Sequence, residues 1–297
     1  NHCKVNLTVI PWDKYEETYT TALNSGEGPD VGYMYNEMFP TYIDAGAVED
    51  MSSYVTDEDK KEYKYLSNGN MMDGQYGWPL VTGVPFVLYY NEDILNALGE
   101  KAPETWDDFA RICQEATKDT DGDGKVDQYG FACGMNTSDI GAMQILNAYY
   151  YSALWQNGGQ VYNDDLKSVS FADEAGKEAV TWLKGLTSYM NEDFMSLSWS
   201  DAFSNVFGAG KAAFGITRSS QTDGTTFAET YPDLNWNFVT SLKNKDFGTF
   251  GATDCLTLMS ACEDKDLAMD FIKYVTGSEF MTAYHAKCPG AALTESE

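Results

Sequence analysis

Strand-like and helix-like segments alternate along the chain, and this alternation constrains the fold more than any other feature of the sequence. Residues 4–10 (KVNLTVI) carry apolar side chains at every second position, as a half-buried strand does. A helix with an N-cap at Asp13 and a carboxylate three residues later is predicted next, followed by a buried strand over 30–35. Such a β-α-β unit indicates an α/β protein with parallel sheets.

The same alternation recurs further along the chain. A strand is predicted over 84–90, and the capping sequence TWDD at 105–108 predicts the start of a helix. Two more helices are predicted around 179–190 and 267–275, with a short strand at 212–216 between them. No internal repeat or low-complexity linker separates these segments, so we expect the chain to cross between domains on ordered strands.

The charge of the chain argues against several functions. Its 19 Lys and Arg residues against 46 Asp and Glu residues give a net charge of −27 and an isoelectric point near 4.2. Binding of nucleic acid or of anionic lipid requires clustered cations, so both are disfavoured. A length of 297 residues with 43% hydrophobic residues predicts about two folded domains. No segment is long and apolar enough to predict a membrane span.

The ends of the chain and its cysteines add two expectations. The first predicted strand begins almost at the first residue, so the N-terminus looks cut and any targeting segment would lie upstream. The six cysteines lack metal-binding spacing and are interpreted mostly as small buried side chains. A disulfide such as Cys255 to Cys262 is the minor alternative.

Seven short motifs, spread in order over nearly the whole chain, carry a family resemblance. They are SGEGPDV at 25–31, AGAVEDM at 45–51, GQYGWP at 74–79, YYNED at 89–93, PETWDDF at 103–109, FGAGKAAF at 207–214 and KDLAMDFI at 265–272. In this order and spacing, the chain resembles the extracellular solute-binding proteins of ABC importers. The resemblance is to the carbohydrate-binding branch, which includes the maltodextrin-binding proteins.

The resemblance implies the α/β fold of periplasmic binding proteins, in which two domains joined by a multi-strand hinge close on a sugar like a clamp. One domain would comprise 1–84 plus 251–288, and the other 85–250. Residues 289–297 would begin a C-terminal segment that is otherwise absent. Family members have a strand and helix before Lys4 and a helical segment after Thr294, so the chain is expected to be truncated at both ends.

An acidic loop has the spacing of an EF-hand calcium loop. Its positions 1, 3, 5, 7 and 9 fall on Asp119, Asp121, Asp123, Lys125 (through the backbone carbonyl) and Asp127. Position 6 is a glycine, whereas position 12 is Gly130 in place of the bidentate glutamate. We expect a lone structural calcium loop, with an unmetallated acidic turn as the alternative. Some members of the resembled family carry calcium in a loop at this place.

Sugar recognition needs aromatic faces and polar groups at strand ends. Aligned with the maltodextrin-binding pattern, Glu37 falls on an acid that binds sugar, whereas Met34 falls where that pattern has a stacking tryptophan. Tyr33, Tyr35 or Trp12 is expected to replace the missing ring, with packing in the core as the alternative for each.

Three further polar residues are candidates for the hydroxyl groups of a sugar. Asn36 follows the strand, with a turn-forming role as the alternative. Thr82 lies where the resemblance places the first crossing between domains, and it is equally a plain strand residue. Asp254 lies at the second crossing, where family members bring backbone close to the ligand.

Three residues of the second predicted domain complete the candidate ligand set. Tyr150 is chosen from three consecutive tyrosines, of which the resemblance implies that one faces the ligand. Trp199 lies in a serine-rich loop without helical or strand period, which favours stacking on ligand over packing in the core. The resemblance implies a stacking tryptophan near the place of Arg218. The arginine would instead pair with hydroxyls or with a uronic or sialic carboxylate, and a surface ion pair is the alternative.

No catalytic motif is evident. The two histidines, His2 and His285, lie near the ends without a motif around them, although a glycosidase needs only two carboxylates, which this acidic sequence does not exclude. We interpret the chain as a non-catalytic, extracytoplasmic protein, either a cell-surface lipoprotein or periplasmic. The resemblance implies that it acts as a monomer and delivers a mono- or oligosaccharide to an ABC transporter permease. A sensory sugar-binding subunit is the alternative, and a secreted glycosidase is a weaker one.

Overall fold

The structure is a computed structural model that describes residues 3–11, 14–26, 28–72, 74–137, 141–163, 168–219, 226–287 and 292–296. The chain divides into two compact units. The first comprises Asn1–Gly83 with Ala252–Glu297, and the second comprises Val84–Gly251. The predicted domain boundaries lie one residue from these divisions. No helix in the described ranges is both long and apolar enough to cross a membrane.

The helices and strands alternate over most of the chain. The helices are α1 Tyr15–Ser25, α2 Phe39–Asp44, α3 Asp59–Glu62, α4 Glu92–Leu98, α5 Trp106–Ala116, α6 Gly141–Ile145, α7 Tyr151–Gln156, α8 Glu174–Gly185, α9 Trp199–Ala202, α10 Thr226–Thr230, α11 Lys265–Thr276 and α12 Ser278–His285. The strands are β1 Val31–Tyr35, β2 Asn70–Met71, β3 Gly74–Gln75, β4 Trp78–Asn91, β5 Tyr129–Ala132, β6 Ala212–Arg218, β7 Trp236–Val239 and β8 Gly251–Leu258. The mixed α/β class predicted from the sequence is confirmed.

The first unit is built on a sheet in which β8 lies between β1 and β4. β1 and β8 are antiparallel, and their register pairs Val31 with Leu258 and Tyr35 with Asp254. The predicted helix over 267–275 lies within α11, whose buried face includes Met269 and Ile272. This face packs with Trp78, a fully buried residue of β4, in one hydrophobic cluster.

The second unit is built around the other half of β4, which pairs with β6 and β7, both antiparallel. β5 lies parallel to β6 on its far side. α5 begins with the predicted capping box, because the Thr105 side chain accepts from the Asp108 backbone and the Asp108 side chain accepts from the Thr105 backbone. Phe109 of α5 packs on Phe131 of β5 and Phe214 of β6, which holds this helix on the sheet.

Several expectations from the sequence are wrong. Residues 4–10 form no strand, and Leu7 and Val9 are 83% and 81% exposed, because the described residues offer this segment no strand to pair with. The sheets are mainly antiparallel, since β5 with β6 is the one parallel ladder among the described strand pairs. Residues 292–296 belong to the first unit, where the Lys64 N–H donates to the Leu293 carbonyl at 2.9 Å; that residues 289–297 begin a further C-terminal segment stays a prediction.

The described cysteines form no disulfide. Cys113, Cys133, Cys255 and Cys262 are buried free thiols, whereas Cys3 is exposed. Burial raises the pKa of the Cys133 thiol to about 12, which keeps this side chain protonated and unreactive near neutral pH. The alternative of a Cys255 to Cys262 disulfide is therefore wrong. Cys288 lies outside the described residues.

Candidate functional site

The candidate residues of the first unit meet where β1 and β8 pair. Tyr33 and Tyr35 are two residues apart on β1, so their side chains lie on one face of the strand, and both are half-buried. The Tyr33 hydroxyl donates to Asp254 Oδ2 at 2.5 Å. Two residues predicted independently, one from each strand, are thus joined by a hydrogen bond.

Helix α1 holds these tyrosine rings in place. Tyr15 and Tyr19 are its buried residues, and the Tyr15 hydroxyl donates to the Tyr33 carbonyl. The Tyr33 N–H donates to the Tyr19 hydroxyl at 2.9 Å. Glu16, on the exposed side of α1, accepts from the Tyr35 hydroxyl at 2.5 Å. Burial, together with this carboxylate, raises the pKa of Tyr35, so its hydroxyl remains a donor at neutral pH.

The loop after β1 agrees with the sequence interpretation in part. Met34 is fully buried, so it offers no surface to a ligand in the place of the missing ring. Asn36 is half-buried at the start of a short 3-10 helix, and its contact with a ligand stays a prediction. Glu37 is exposed and available to a ligand. Trp12 lies outside the described residues.

Thr82 is buried, and its hydroxyl donates to Thr253 Oγ1 at 3.3 Å. Asn68 Nδ2 donates to the same Thr253 hydroxyl at 3.0 Å. Asn68 is exposed, and its contact with Thr253 joins it to β8. Sequence reasoning missed Asn68, Thr253 and Glu16 because their partners are remote in sequence, and no local pattern marks such pairs.

Two of the three candidate residues of the second unit, Trp199 and Arg218, lie against Phe86 of β4. Trp199, the first residue of α9, packs edge-on against Phe86 with ring centroids 5.5 Å apart. The guanidinium carbon of Arg218 lies 5.5 Å from the Phe86 centroid, and its Nη2 donates to Gln144 Oε1 at 3.2 Å. Trp199 and Arg218, which are 19 positions apart in the sequence, therefore share one aromatic neighbour.

Further rings extend this aromatic group. Phe250 lies 6.3 Å from Phe86, and the rings of Tyr151 and Trp155 stack on Phe250 at 6.0 and 6.2 Å. All three of these rings are half-buried and so keep an accessible edge or face. We call Phe86, Trp199, Phe250, Tyr151 and Trp155 the aromatic group of the second unit.

The three consecutive tyrosines have distinct roles. Tyr149 is buried in the core of the second unit. The hydroxyl of Tyr150, the predicted residue, donates to the Phe171 carbonyl at 2.8 Å. Tyr151 belongs to the aromatic group, whereas Tyr150 contacts that group through the ring of Tyr151 at 5.9 Å. The geometry thus favours Tyr151 over Tyr150 as the ring beside the other aromatic side chains.

The acidic loop brings three of its predicted ligands together. Oxygens of Asp119, Asp121 and Asp123 lie within 4.8 Å of one another. The Asp119 carboxylate accepts from the N–H groups of Gly124 and Gly122, which lower the pKa of Asp119 and favour its ionised form. Three carboxylates at this separation repel one another and fit a hard cation such as Ca²⁺.

The other two predicted ligands contribute less directly. The Asp127 carboxylate accepts from the backbone N–H and the hydroxyl of Thr120, at 2.8 and 2.7 Å. Lys125 donates its backbone N–H to Asp123 Oδ1 at 2.8 Å, and its carbonyl was the predicted ligand. Gly130 at position 12 lies in β5, as the sequence predicted for the segment after the loop.

Comparison with known proteins identifies the family of this chain. The family model described as bacterial extracellular solute-binding protein matches residues 1–294. A protein of Brucella abortus that is named a binding protein is 25% identical over 286 residues, covering 91% of this chain. The chain spans 64% of the length of that relative.

Solved structures share the fold. A cyclic α-maltosyl-1,6-maltose binding protein of Arthrobacter globiformis superposes with a TM-score of 0.75 at 17% identity, covering 97% of this chain and 71% of that protein. An ABC transporter solute-binding protein of Thermotoga lettingae, bound to α-D-tagatose, superposes with a TM-score of 0.74 at 19% identity. The match covers 96% of this chain and 72% of that protein. The fold predicted from the seven motifs is confirmed.

Proposed function

The chain belongs to the bacterial extracellular solute-binding proteins, and on that premise we propose that it captures a carbohydrate and delivers it to an ABC importer. The family is extracellular, so the protein acts outside the cytoplasm. Its family and its structural relatives are binding proteins. Delivery to a permease as a monomer, and attachment by a lipid or release into a periplasm, belong to the same proposal.

The observation that carries the carbohydrate proposal is the aromatic group of the second unit with polar groups beside it. Aromatic faces pack on the C–H faces of sugar rings, and amide, carboxylate and guanidinium groups bind the hydroxyls. The half-buried rings of Trp199, Phe250, Tyr151 and Trp155 provide such faces. Phe86 is only 3% exposed and supports these rings from the core, and Arg218, held by the buried Gln144, provides the polar group. In the first unit, Tyr33 and Asp254 combine a ring with a carboxylate. Domain closure on the ligand, which the resemblance implies, stays a prediction.

A thermal-shift screen against mono-, oligo- and acidic saccharides tests this function, with each saccharide checked afterwards for breakdown. A ligand at a hundred times its dissociation constant stabilises the folded protein by about 2.7 kcal/mol. A shift with intact saccharide supports a binding protein. Cleavage of the saccharide would instead indicate a glycosidase, and a panel without any shift would contradict carbohydrate binding.

We expect Trp199→Ala to weaken saccharide binding about tenfold, because a stacked indole contributes roughly 1 kcal/mol or more. Trp199→Phe keeps a ring at this place and should recover most of the affinity. Isothermal titration with the saccharide found in the screen measures both variants. Phe238→Ala is the control, since Phe238 is a 46% exposed ring on β7 that packs on Tyr89 and lies outside the aromatic group. Equal affinity in the parent protein and Trp199→Ala would remove Trp199 from the site.

We also propose that the acidic loop holds one structural Ca²⁺. Asp119, Asp121 and Asp123 would provide carboxylate ligands and Lys125 its carbonyl, with Asp127 in contact through water or after release from Thr120. The ion would neutralise carboxylates that otherwise repel one another. The loop joins α5 to β5, so calcium would stabilise the second unit without entering ligand recognition.

A further inference from the structure

Arg218 differs from the other arginine of this chain in what surrounds it. Arg111 contacts three carboxylates, those of Glu100, Asp108 and Glu115, at 2.6 to 3.9 Å. No aspartate or glutamate in the described ranges pairs with Arg218, although the chain contains 46 acidic residues. The surface ion pair that was its alternative is therefore absent from the described part of the molecule.

Contacts with Phe86 and Gln144 fix the position of the Arg218 side chain. It is the last residue of β6, and the ladder with β4 pairs it directly with Phe86. Its guanidinium lies over the Phe86 ring and is held by the carboxamide oxygen of Gln144, which is only 5% exposed. A ring and a buried amide fix the guanidinium, and neither carries a charge that would compensate it.

The strongly negative net charge of the protein bears on the role of Arg218. At −27, the protein repels an anion at long range, so an anionic ligand needs a local cation to bind. A guanidinium presents a planar fork of donors that matches a carboxylate in two parallel hydrogen bonds. Within the described residues, the hydrogen bond to Gln144 uses Nη2, one of the donor nitrogens of this fork.

We infer that Arg218 selects a saccharide that carries a carboxylate, either a uronic acid or a sialic acid. The inference rests on the proposed function, since it specifies the ligand of the same site. The sugar ring packs on the aromatic group beside Phe86, and the carboxylate accepts from the guanidinium. A neutral saccharide of the same shape lacks the second contact and binds more weakly.

Calorimetry with matched ligands tests the inference on the unaltered protein. The probes are oligosaccharides of galacturonate, glucuronate and mannuronate, each compared with its methyl ester, and N-acetylneuraminate compared with its methyl ester. Esterification removes the charge and keeps the ring. We expect at least one acid to bind at least tenfold more tightly than its ester, because hydrogen bonds to charged groups are the strong ones. The class of acid that binds distinguishes uronate from sialate.

Variants assign the effect to Arg218. Arg218→Gln should reduce the preference for acid over ester to less than threefold, and Arg218→Lys should leave it intermediate, because lysine keeps the charge and loses the fork. Arg111→Gln removes the same charge from α5 and should leave the preference intact. If Arg218→Gln does not fold, the comparison of acid with ester and the lysine variant still decide the matter.

The outcomes separate the inference from the proposed function. Tight binding of neutral saccharides, with acids bound equally or less tightly, overturns the inference and leaves the carbohydrate-binding function intact. Binding of no saccharide at all overturns both. A preference for acid that persists in Arg218→Gln shows that another group recognises the carboxylate, and overturns the role of Arg218.

Discussion

Gly130→Ala should destabilise the second unit by about 3 kcal/mol, at the upper end of the usual cost of overpacking. A Cβ at this position of β5 would lie 2.3 Å from the Cys113 carbonyl oxygen and 2.6 Å from the Cys113 Cα. Both atoms belong to the backbone of α5, which has no rotamer to change. The helix must therefore move off the sheet, and with it Phe109 leaves its contacts with Phe131 and Phe214.

Thermal unfolding measures this effect, with an expected fall in Tm of roughly 6 °C or more for a unit of this size. Gly185→Ala is the matched control in the same unit. Gly185 is the last residue of α8, has helical dihedral angles, and has no atom within 4 Å of an added Cβ. The Gly185→Ala protein should be as stable as the parent or slightly more stable, because alanine lowers the conformational entropy of the unfolded chain. A Tm unchanged by Gly130→Ala would mean that α5 and β5 are not in contact here.

Gly130 also shows why the acidic loop departs from an EF-hand. The position that would supply the bidentate glutamate is occupied by a strand residue pressed against a helix, so no side chain fits there. The sequence predicted both the missing glutamate and the strand, but it did not reveal that packing is the reason. That reason depends on the distance between α5 and β5, which no local pattern encodes.

Local signals predicted helices well where the chemistry is local. The capping box of Thr105 and Asp108 needs only residues three apart, and both of its hydrogen bonds are present. The segment over 4–10 has an equally clear alternation, but a strand also needs a partner. The predicted strand direction was wrong because direction also depends on the partner strand. Strand–helix alternation favours parallel ladders, but β4 pairs antiparallel with β6 and β7, which are distant in sequence.

The residues of the candidate site likewise include some that the sequence predicts and some that depend on distant partners. Separate features of the sequence predict Tyr33 and Asp254, and the register of β1 with β8 brings them together. No local pattern marks Glu16 or Gln144, because each contributes only through a partner distant in sequence, Tyr35 for Glu16 and Arg218 for Gln144. Among three adjacent tyrosines, the choice depends on the helical rotation around 146–156, where a π-helical turn precedes α7 and shifts the faces.

Calcium at a hundred times its dissociation constant should raise the stability of the protein by about 2.7 kcal/mol. The contacts of the loop indicate weak binding, with a dissociation constant on the order of 10⁻⁴ to 10⁻³ M, typical of extracellular modules, because no bidentate glutamate is present. Asp121→Asn should abolish most of the rise, since Asp121 is one of the three convergent carboxylates. Asp233→Asn removes one charge from an exposed position of the same unit and should leave the rise intact.

Ionic strength and metal identity are the decisive controls for this measurement. A chain with a net charge of −27 gains stability from any salt that screens its self-repulsion, so each calcium sample needs sodium chloride at equal ionic strength. Magnesium should stabilise less, because it demands a regular octahedral shell that this open loop does not provide. The calcium site would be contradicted by an equal rise in stability with sodium, or by an undiminished rise in Asp121→Asn. The three aspartates would then form an unmetallated acidic turn, stabilised by the N–H groups of Gly122 and Gly124.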